Sequence, residues 1–276
     1  MVTKIIEGVS FDLKEDFCFD FLSEYGQVFR VFDKQDSGYI SFGVQNANNK
    51  LFLKIAGAPT VRSNYSSAES INRLKSTVSI YQDLRHPKLI EIIDHKEIKE
   101  GYLTVFEWIE GECMGKQYGA FDKFLNLPLE DKFNIYKDIL LFHQHVNQRG
   151  YIAIDFYDGC IMYNFTSKQT MICDIEFYSK KPVINKFGRM PGSSRYMSPE
   201  EFQLGTEIDE RSNVFVMGAT AFQLLGGGSD RSLEKWKADE KLYTIALKAI
   251  DIEKENRYRT IDEYYDAWNN ACSSLS

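Results

Sequence analysis

Two aspartates 19 positions apart each close a short run rich in apolar and β-branched residues. Tyr151, Ile152, Ala153 and Ile154 lead into Asp155, and Thr170, Met171, Ile172 and Cys173 lead into Asp174. A third such run, Ile161 to Tyr163, lies between them. Runs of this length and composition read as buried strands. The segment therefore reads as a loop, a hairpin and a metal site. Phosphoryl transfer from a nucleotide needs one carboxylate to orient an acceptor hydroxyl and another to hold Mg²⁺ on the phosphates, both on rigid backbone. The spacing suits that chemistry.

The rest of the chain supplies a frame for such a loop. Residues 27–32, 39–44 and 51–55 read as strands of an antiparallel meander, separated by the turn formers of 34–38 and 46–50. From 67 to 84, Ile71, Leu74, Val78, Tyr81 and Leu84 recur at helical spacing, and His86 with Pro87 stops the helix. Residues 89–97 and 102–108 read as two more strands. Beyond 112 the texture becomes helical: 129–148, closed by Gly150; 212–225, apolar nearly all round and ended by Gly226, Gly227 and Gly228; then amphipathic outer helices over 233–267. The expected fold is α+β and two-lobed. A small antiparallel five-stranded lobe with one helix spans 1–106, a hinge 107–112, and a larger, mainly helical lobe 113–276, with a cleft at the join.

Composition narrows the function classes. With 276 residues, 43% of them hydrophobic, the chain can bury a large core. A net charge of −7 gives no global basic footprint for nucleic acid. The five cysteines, Cys18, Cys113, Cys160, Cys173 and Cys272, are odd in number and scattered, which fits neither a disulfide framework nor a zinc site. Residues 1–7 lack a signal-peptide core, and no run reaches the ~18–20 apolar residues of a membrane span. A protein of the cytoplasm is expected, with no nucleic-acid or membrane partner.

In this order the residues resemble the protein-kinase-like superfamily, over about 28–268, and in particular bacterial serine/threonine protein kinases with divergent motifs. Lys54 resembles the strand lysine that contacts nucleotide phosphates, Asp155 the catalytic-loop aspartate and Asp174 the magnesium aspartate. Glu107, Trp108 and Ile109 resemble the hinge whose backbone grips adenine. Gly192 to Glu200 resembles the end of an activation segment, with Ser198, Pro199 and Glu200 in the place of Ala-Pro-Glu. Asn213 resembles the residue that opens the buried helix and accepts from the catalytic-loop backbone, and Arg259 the arginine that pairs with Glu200. The resemblance implies ATP and Mg²⁺ as cofactors and a hydroxyl acceptor as partner.

The departures carry equal information. In place of a glycine-rich turn the chain offers Asp36, Ser37 and Gly38, whose amides would donate to phosphate. Where a glutamate would pair with Lys54 stands Thr77, with Glu69 as the substitute. Ala153 and Ile154 replace His-Arg, so activity would need no phosphorylated activation segment. Cys160 replaces the asparagine of the second metal, and a thiol is a poor ligand for Mg²⁺. Asp158 either supplies that oxygen or belongs to a turn with Gly159. Glu176, two residues after Asp174, is expected to face solvent, the alternative being a second acid beside the metal. Ser193, Ser194 and Ser198 are either contacts for a peptide, sites of modification or ordinary loop serines. The expected activity is an ATP-dependent phosphotransferase acting on a protein serine or threonine. A small-molecule kinase of the aminoglycoside or choline type, or a nucleotide-binding pseudokinase, is the alternative.

Overall fold

Along 39–44, Tyr39, Ser41 and Gly43 alternate with Ile40, Phe42 and Val44, and this period of two gives the strand two different faces. The computed structural model describes residues 1–63 and 65–273, and its chain divides into two compact units. Met1–Arg85 and Ile90–Ile109 form the first; His86–Leu89 and the chain from Glu110 onward form the second.

The first unit holds β1 (Val2–Ile6), β2 (Val9–Leu13), β3 (Gln27–Phe32), β4 (Tyr39–Gln45), β5 (Lys50–Ala56), α1 (Ser67–Asp83), β6 (Ile92–Ile98) and β7 (Gly101–Glu107). Five of these strands form one antiparallel sheet in the order β3-β4-β5-β7-β6. On one face Ile40, Phe42, Val44, Leu53, Ile55, Leu103 and Val105 pack with Phe11, Leu13, Phe17, Phe19 and Leu22. On the other, Tyr39, Ala56 and Tyr102 pack with Leu74 and Val78 of α1.

The sequence expectation of five strands and one helix omits the hairpin β1-β2. A single helix covers one sheet face, so the second needs its own apolar cover, which β2 and the segment after it supply. Its signature is present in the chain: alternating Val9, Phe11 and Leu13, and a two-residue turn of Glu7 and Gly8, both at positive φ. A second correction concerns β6, which starts at Ile92 and not at 89. Leu89 instead bridges to Ile172 in the second unit.

The second unit contains β8 (Glu112–Cys113), α2 (Phe121–Leu125), α3 (Leu129–Gln148), β9 (Tyr151–Ile152), β10 (Ile161–Asn164), β11 (Gln169–Ile172), β12 (Ser179–Lys180), β13 (Val183–Ile184), β14 (Glu207–Ile208), α4 (Glu210–Leu225), α5 (Glu240–Ala249) and α6 (Ile261–Ser273). Its strands make three small antiparallel sheets, ordered β11-β10-β8, β12-β9 and β13-β14. Most were not anticipated, because a two-residue strand is too short to display a period of two. Every residue of α4 from Ser212 to Leu225 is buried, in keeping with an apolar pattern that has no polar face. Tyr136 of α3 donates to the Met217 carbonyl at 2.8 Å and lies 2.6 Å from the Tyr264 hydroxyl, tying α3, α4 and α6 together. Among the described residues no helix is long and apolar enough to cross a membrane.

Candidate functional site

The first unit presents its candidate residues on the α1 face of the sheet. Ser41 and Lys54 are directly opposed across β4 and β5, and Lys54 and Thr104 across β5 and β7. Opposed residues share a face, so these three form one row. Lys54 is 8% exposed, and its ammonium lies 4.9 Å from the centroid of the Tyr39 ring. Thr77, which stands in the glutamate's place, carries no charge, and its hydroxyl donates back to the Arg73 carbonyl at 3.0 Å. Glu69 is also committed elsewhere. It completes a capping box with Ser66, and the Ser66 hydroxyl and amide hold its carboxyl below the usual range.

Gly38, at φ 82, owes its identity to packing. A Cβ there would come within 2.3 Å of Ser70 Oγ and 2.9 Å of Ser63 Oγ, so the turn can approach α1 only as glycine. The expected hinge is also engaged within its own unit. The Glu107 amide donates to the Glu91 carbonyl at 3.2 Å, and its carboxylate accepts from the Glu91 amide at 3.0 Å. The Glu107 N–H is therefore spent within the sheet. Trp108 stacks edge-on against Phe29 at 4.9 Å, next to Phe32 and Phe52. Ile109 ends the unit.

In the second unit the two aspartates are joined through a thiol. Cys160 Sγ lies 3.6 Å from the Asp155 carbonyl and 3.7 Å from that of Asp174. Burial raises the thiol well above its ordinary pKa, and the carboxylate of Asp174 adds to the effect, so Cys160 stays a neutral donor. The hairpin of β10 and β11 delivers this geometry: the Cys173 amide donates to the Cys160 carbonyl at 2.9 Å, and Asp174 follows. Asp155 adopts φ 62 and Asp174 φ 57. Asn213, wholly buried in α4, accepts from the Ala153 amide at 2.8 Å and donates to the Tyr151 carbonyl at 3.2 Å, anchoring the strand that precedes Asp155. Gly192 crosses the loop so closely that a Cβ on it would lie 3.6 Å from the Asp155 Cα.

Four expectations need correction here. Asp158, fully buried, is clasped by Arg195 through two hydrogen bonds of 2.8 and 3.0 Å, so its oxygens are spent on a guanidinium and not on a metal. Glu176 is buried, at 7% exposure, and does not face solvent. Glu200 pairs with Arg257 and not with Arg259: Nη1 and Nη2 of Arg257 reach its two oxygens at 2.7 and 3.0 Å, and Ser212 donates at 2.7 Å. Burial works against that charge, but Arg257 and Ser212 outweigh it and hold the carboxyl below its usual range. Ser198 is fully buried, its amide and hydroxyl both donating to Glu201, so it is no contact for a peptide. Ser194 is exposed.

Among the described residues no group of three or more His, Cys, Asp or Glu side chains is arranged to hold a metal ion. Asp174 is an exposed carboxylate. Mg²⁺ is commonly held by one or two carboxylates plus substrate phosphates and water, so a single acid suits it in the presence of a nucleotide. Sequence reasoning missed Arg195 and Arg257, whose partners lie 37 and 57 positions away. No protein-family model matches the chain.

Proposed function

We propose that the chain is a two-lobed, kinase-like phosphotransferase that moves the γ-phosphate of Mg-ATP to the hydroxyl of a protein serine or threonine. One observation carries the reading. Among the described residues four non-glycine residues have positive φ. Glu7 and Lys168 lie in the turns between β1 and β2 and between β10 and β11, where a local reason exists. Asp155 and Asp174 are not in hairpin turns, and a left-handed conformation costs a residue with a Cβ roughly 1–2 kcal/mol. Strain that the surroundings hold in place clusters at functional sites.

In this reading Asp155 accepts a hydrogen bond from the acceptor hydroxyl and takes up its proton late in the transfer. Lys54 holds phosphate oxygens, and Asp174 holds Mg²⁺, which neutralises charge developing on the phosphates. In the same reading an extended peptide would pass the exposed Ser194, two residues beyond Gly192. The test is transfer from labelled ATP to peptide, aminoglycoside and amino-alcohol acceptors. Asp155→Asn should lower turnover about 10²–10⁴-fold and leave ATP affinity near that of the parent. Asp174→Asn should remove the Mg²⁺-dependence of the thermal shift that ATP produces. Equal turnover by Asp155→Asn and the parent would defeat the assignment, and label found only on a small alcohol would replace the acceptor. The clasp of Arg195 on Asp158 favours a second reading, a nucleotide-binding pseudokinase. Its signature is an ATP shift with no transfer to any acceptor.

A further inference from the structure

Two arginines of the second unit hold the segment beside Asp155 by its carbonyls, and among the described residues neither meets a carboxylate. Arg189 donates through Nη2 to the Gly192 carbonyl at 2.9 Å and through Nη1 to that of Met190 at 3.2 Å. Arg231, in the loop after α4, donates through Nη2 to the Arg195 carbonyl at 3.1 Å. The two guanidiniums therefore bracket Ser193 and Ser194. Gly192, where this stretch begins, is the residue that crosses Asp155.

Arg231 is the informative member of the pair. It is partly buried, its Cζ lies 5.4 Å from the Phe215 ring centroid, and the Tyr243 hydroxyl donates to its carbonyl at 3.1 Å, so it is ordered before any ligand arrives. Among the described residues the bond to Arg195 is the one hydrogen bond of this guanidinium, and its other nitrogens are not sealed from the surface. The neighbouring charges are already spent. Asp158 takes Arg195, Glu200 takes Arg257, and the exposed Asp230 accepts from the Ser232 amide at 3.2 Å. Burial draws Arg231 below its ordinary pKa with no acid to offset it, whereas Asp158 raises Arg195. One donor suffices to hold a carbonyl. The donors left over match a carboxylate, which would supply the counter-charge that a desolvated cation lacks.

We infer that Arg189 and Arg231 form an anion-reading rim on residues 192–195, which selects peptides carrying Asp or Glu close to the residue that lies at Asp155. With a net charge of −7 the molecule as a whole repels such a peptide, so the attraction is local to this rim. That the bound peptide is a phosphate acceptor rests on the phosphotransferase reading. Recognition of its carboxylates does not.

The test is binding of a fluorescent serine peptide flanked by Glu, against its Gln analogue, to the full chain by anisotropy at two salt concentrations, with transfer from labelled ATP to both measured in parallel. The parent should bind the Glu peptide about tenfold more tightly, by a margin that shrinks as salt rises. Arg231→Met, which keeps the alkyl stem, should cut that margin to about twofold and leave affinity for the Gln analogue near that of the parent. A merely structural arginine would weaken both peptides alike. Arg189→Met, at a more exposed site, should cut the margin about threefold. Should Arg231→Met fail to fold, Arg189→Met and Arg231→Lys, which keeps the charge and loses the fork, decide the matter. No binding by the parent, equal affinity for the two peptides, or a margin that survives in the variants that fold overturns the inference. A margin that depends on these arginines, with no transfer to either peptide, upholds the inference and removes the phosphotransferase reading; equal binding of both peptides, with transfer to both, does the reverse.

Discussion

Arg257 and Arg259 stand two positions apart with the same charge, and their surroundings separate them completely. Arg257 is buried, with its guanidinium on Glu200 and on the carbonyls of Asp251 and Ile252. Arg259 is exposed, and its backbone amide donates to Glu263. Removing one partner of a buried pair leaves the other charge uncompensated, so Arg257→Ala should cost about 3–5 kcal/mol. Arg259→Ala should cost less than about 1 kcal/mol. Urea unfolding of the two variants checks this, and equal losses would contradict the pairing. The segment from Asn256 to Thr260 has no helical or strand period, so nothing in its pattern distinguishes the two arginines. Glu200 was legible as half of a pair; its partner was not. Asp158 teaches the same lesson, because a carboxylate in a loop reads alike whether a metal or Arg195 will meet it.

Helix α4 shows how much an element inherits from its pattern. Its apolar sequence announces burial on all sides, and Asn213 within it reaches back to the strand before Asp155. Gly218 is a different matter. Glycine inside an exposed helix costs up to about 1 kcal/mol relative to alanine. Here a Cβ would stand 2.8 Å from Ala249 Cβ and from Ile250 Cγ2, at the contact with α5. Overpacking of that kind typically costs 1–3 kcal/mol, so crowding should win over propensity. Gly218→Ala is expected to lower the midpoint of thermal unfolding by a few degrees, and a raised midpoint would show that α5 can move aside. At this scale the long helices and the meander were readable because a period needs several repeats. The hairpin before the sheet was missed, although its alternation and its turn are in the chain. The two-residue strands β8, β12, β13 and β14 were not readable, since their pairing is decided by what lies across from them.

Two buried titratable groups contribute to the pH response in opposite senses. His143 is fully buried; its Nδ1–H donates to the Ile139 carbonyl at 2.8 Å, so Nε2 accepts from the Tyr178 hydroxyl. Burial lowers its pKa from 6.5 to about 4. Its contribution to stability is complete above about pH 6.5 and is lost as the pH falls towards 4, a loss on the order of 3 kcal/mol. Glu201 acts in the opposite sense, since burial raises its carboxyl from 4.5 to about 7. That favourable share is whole below pH 4.5 and gone once the pH passes about 7. The sum of these two contributions is therefore greatest between these limits. In unfolding curves His143→Gln should flatten the acid limb and Glu201→Gln the neutral limb; unchanged limbs would exclude these groups as the source. Periodicity alone determined the α+β class, the meander, the central helix and the two strand-terminal aspartates, because hydrophobic repeat and turn chemistry act over a few neighbouring residues. Tertiary structure decided which arginine meets Glu200, that Asp158 is closed off by Arg195, and that Cys160 holds Asp155 and Asp174 together. Charge and hydrogen bonding act between residues that are distant in the chain, and only folding chooses their partners.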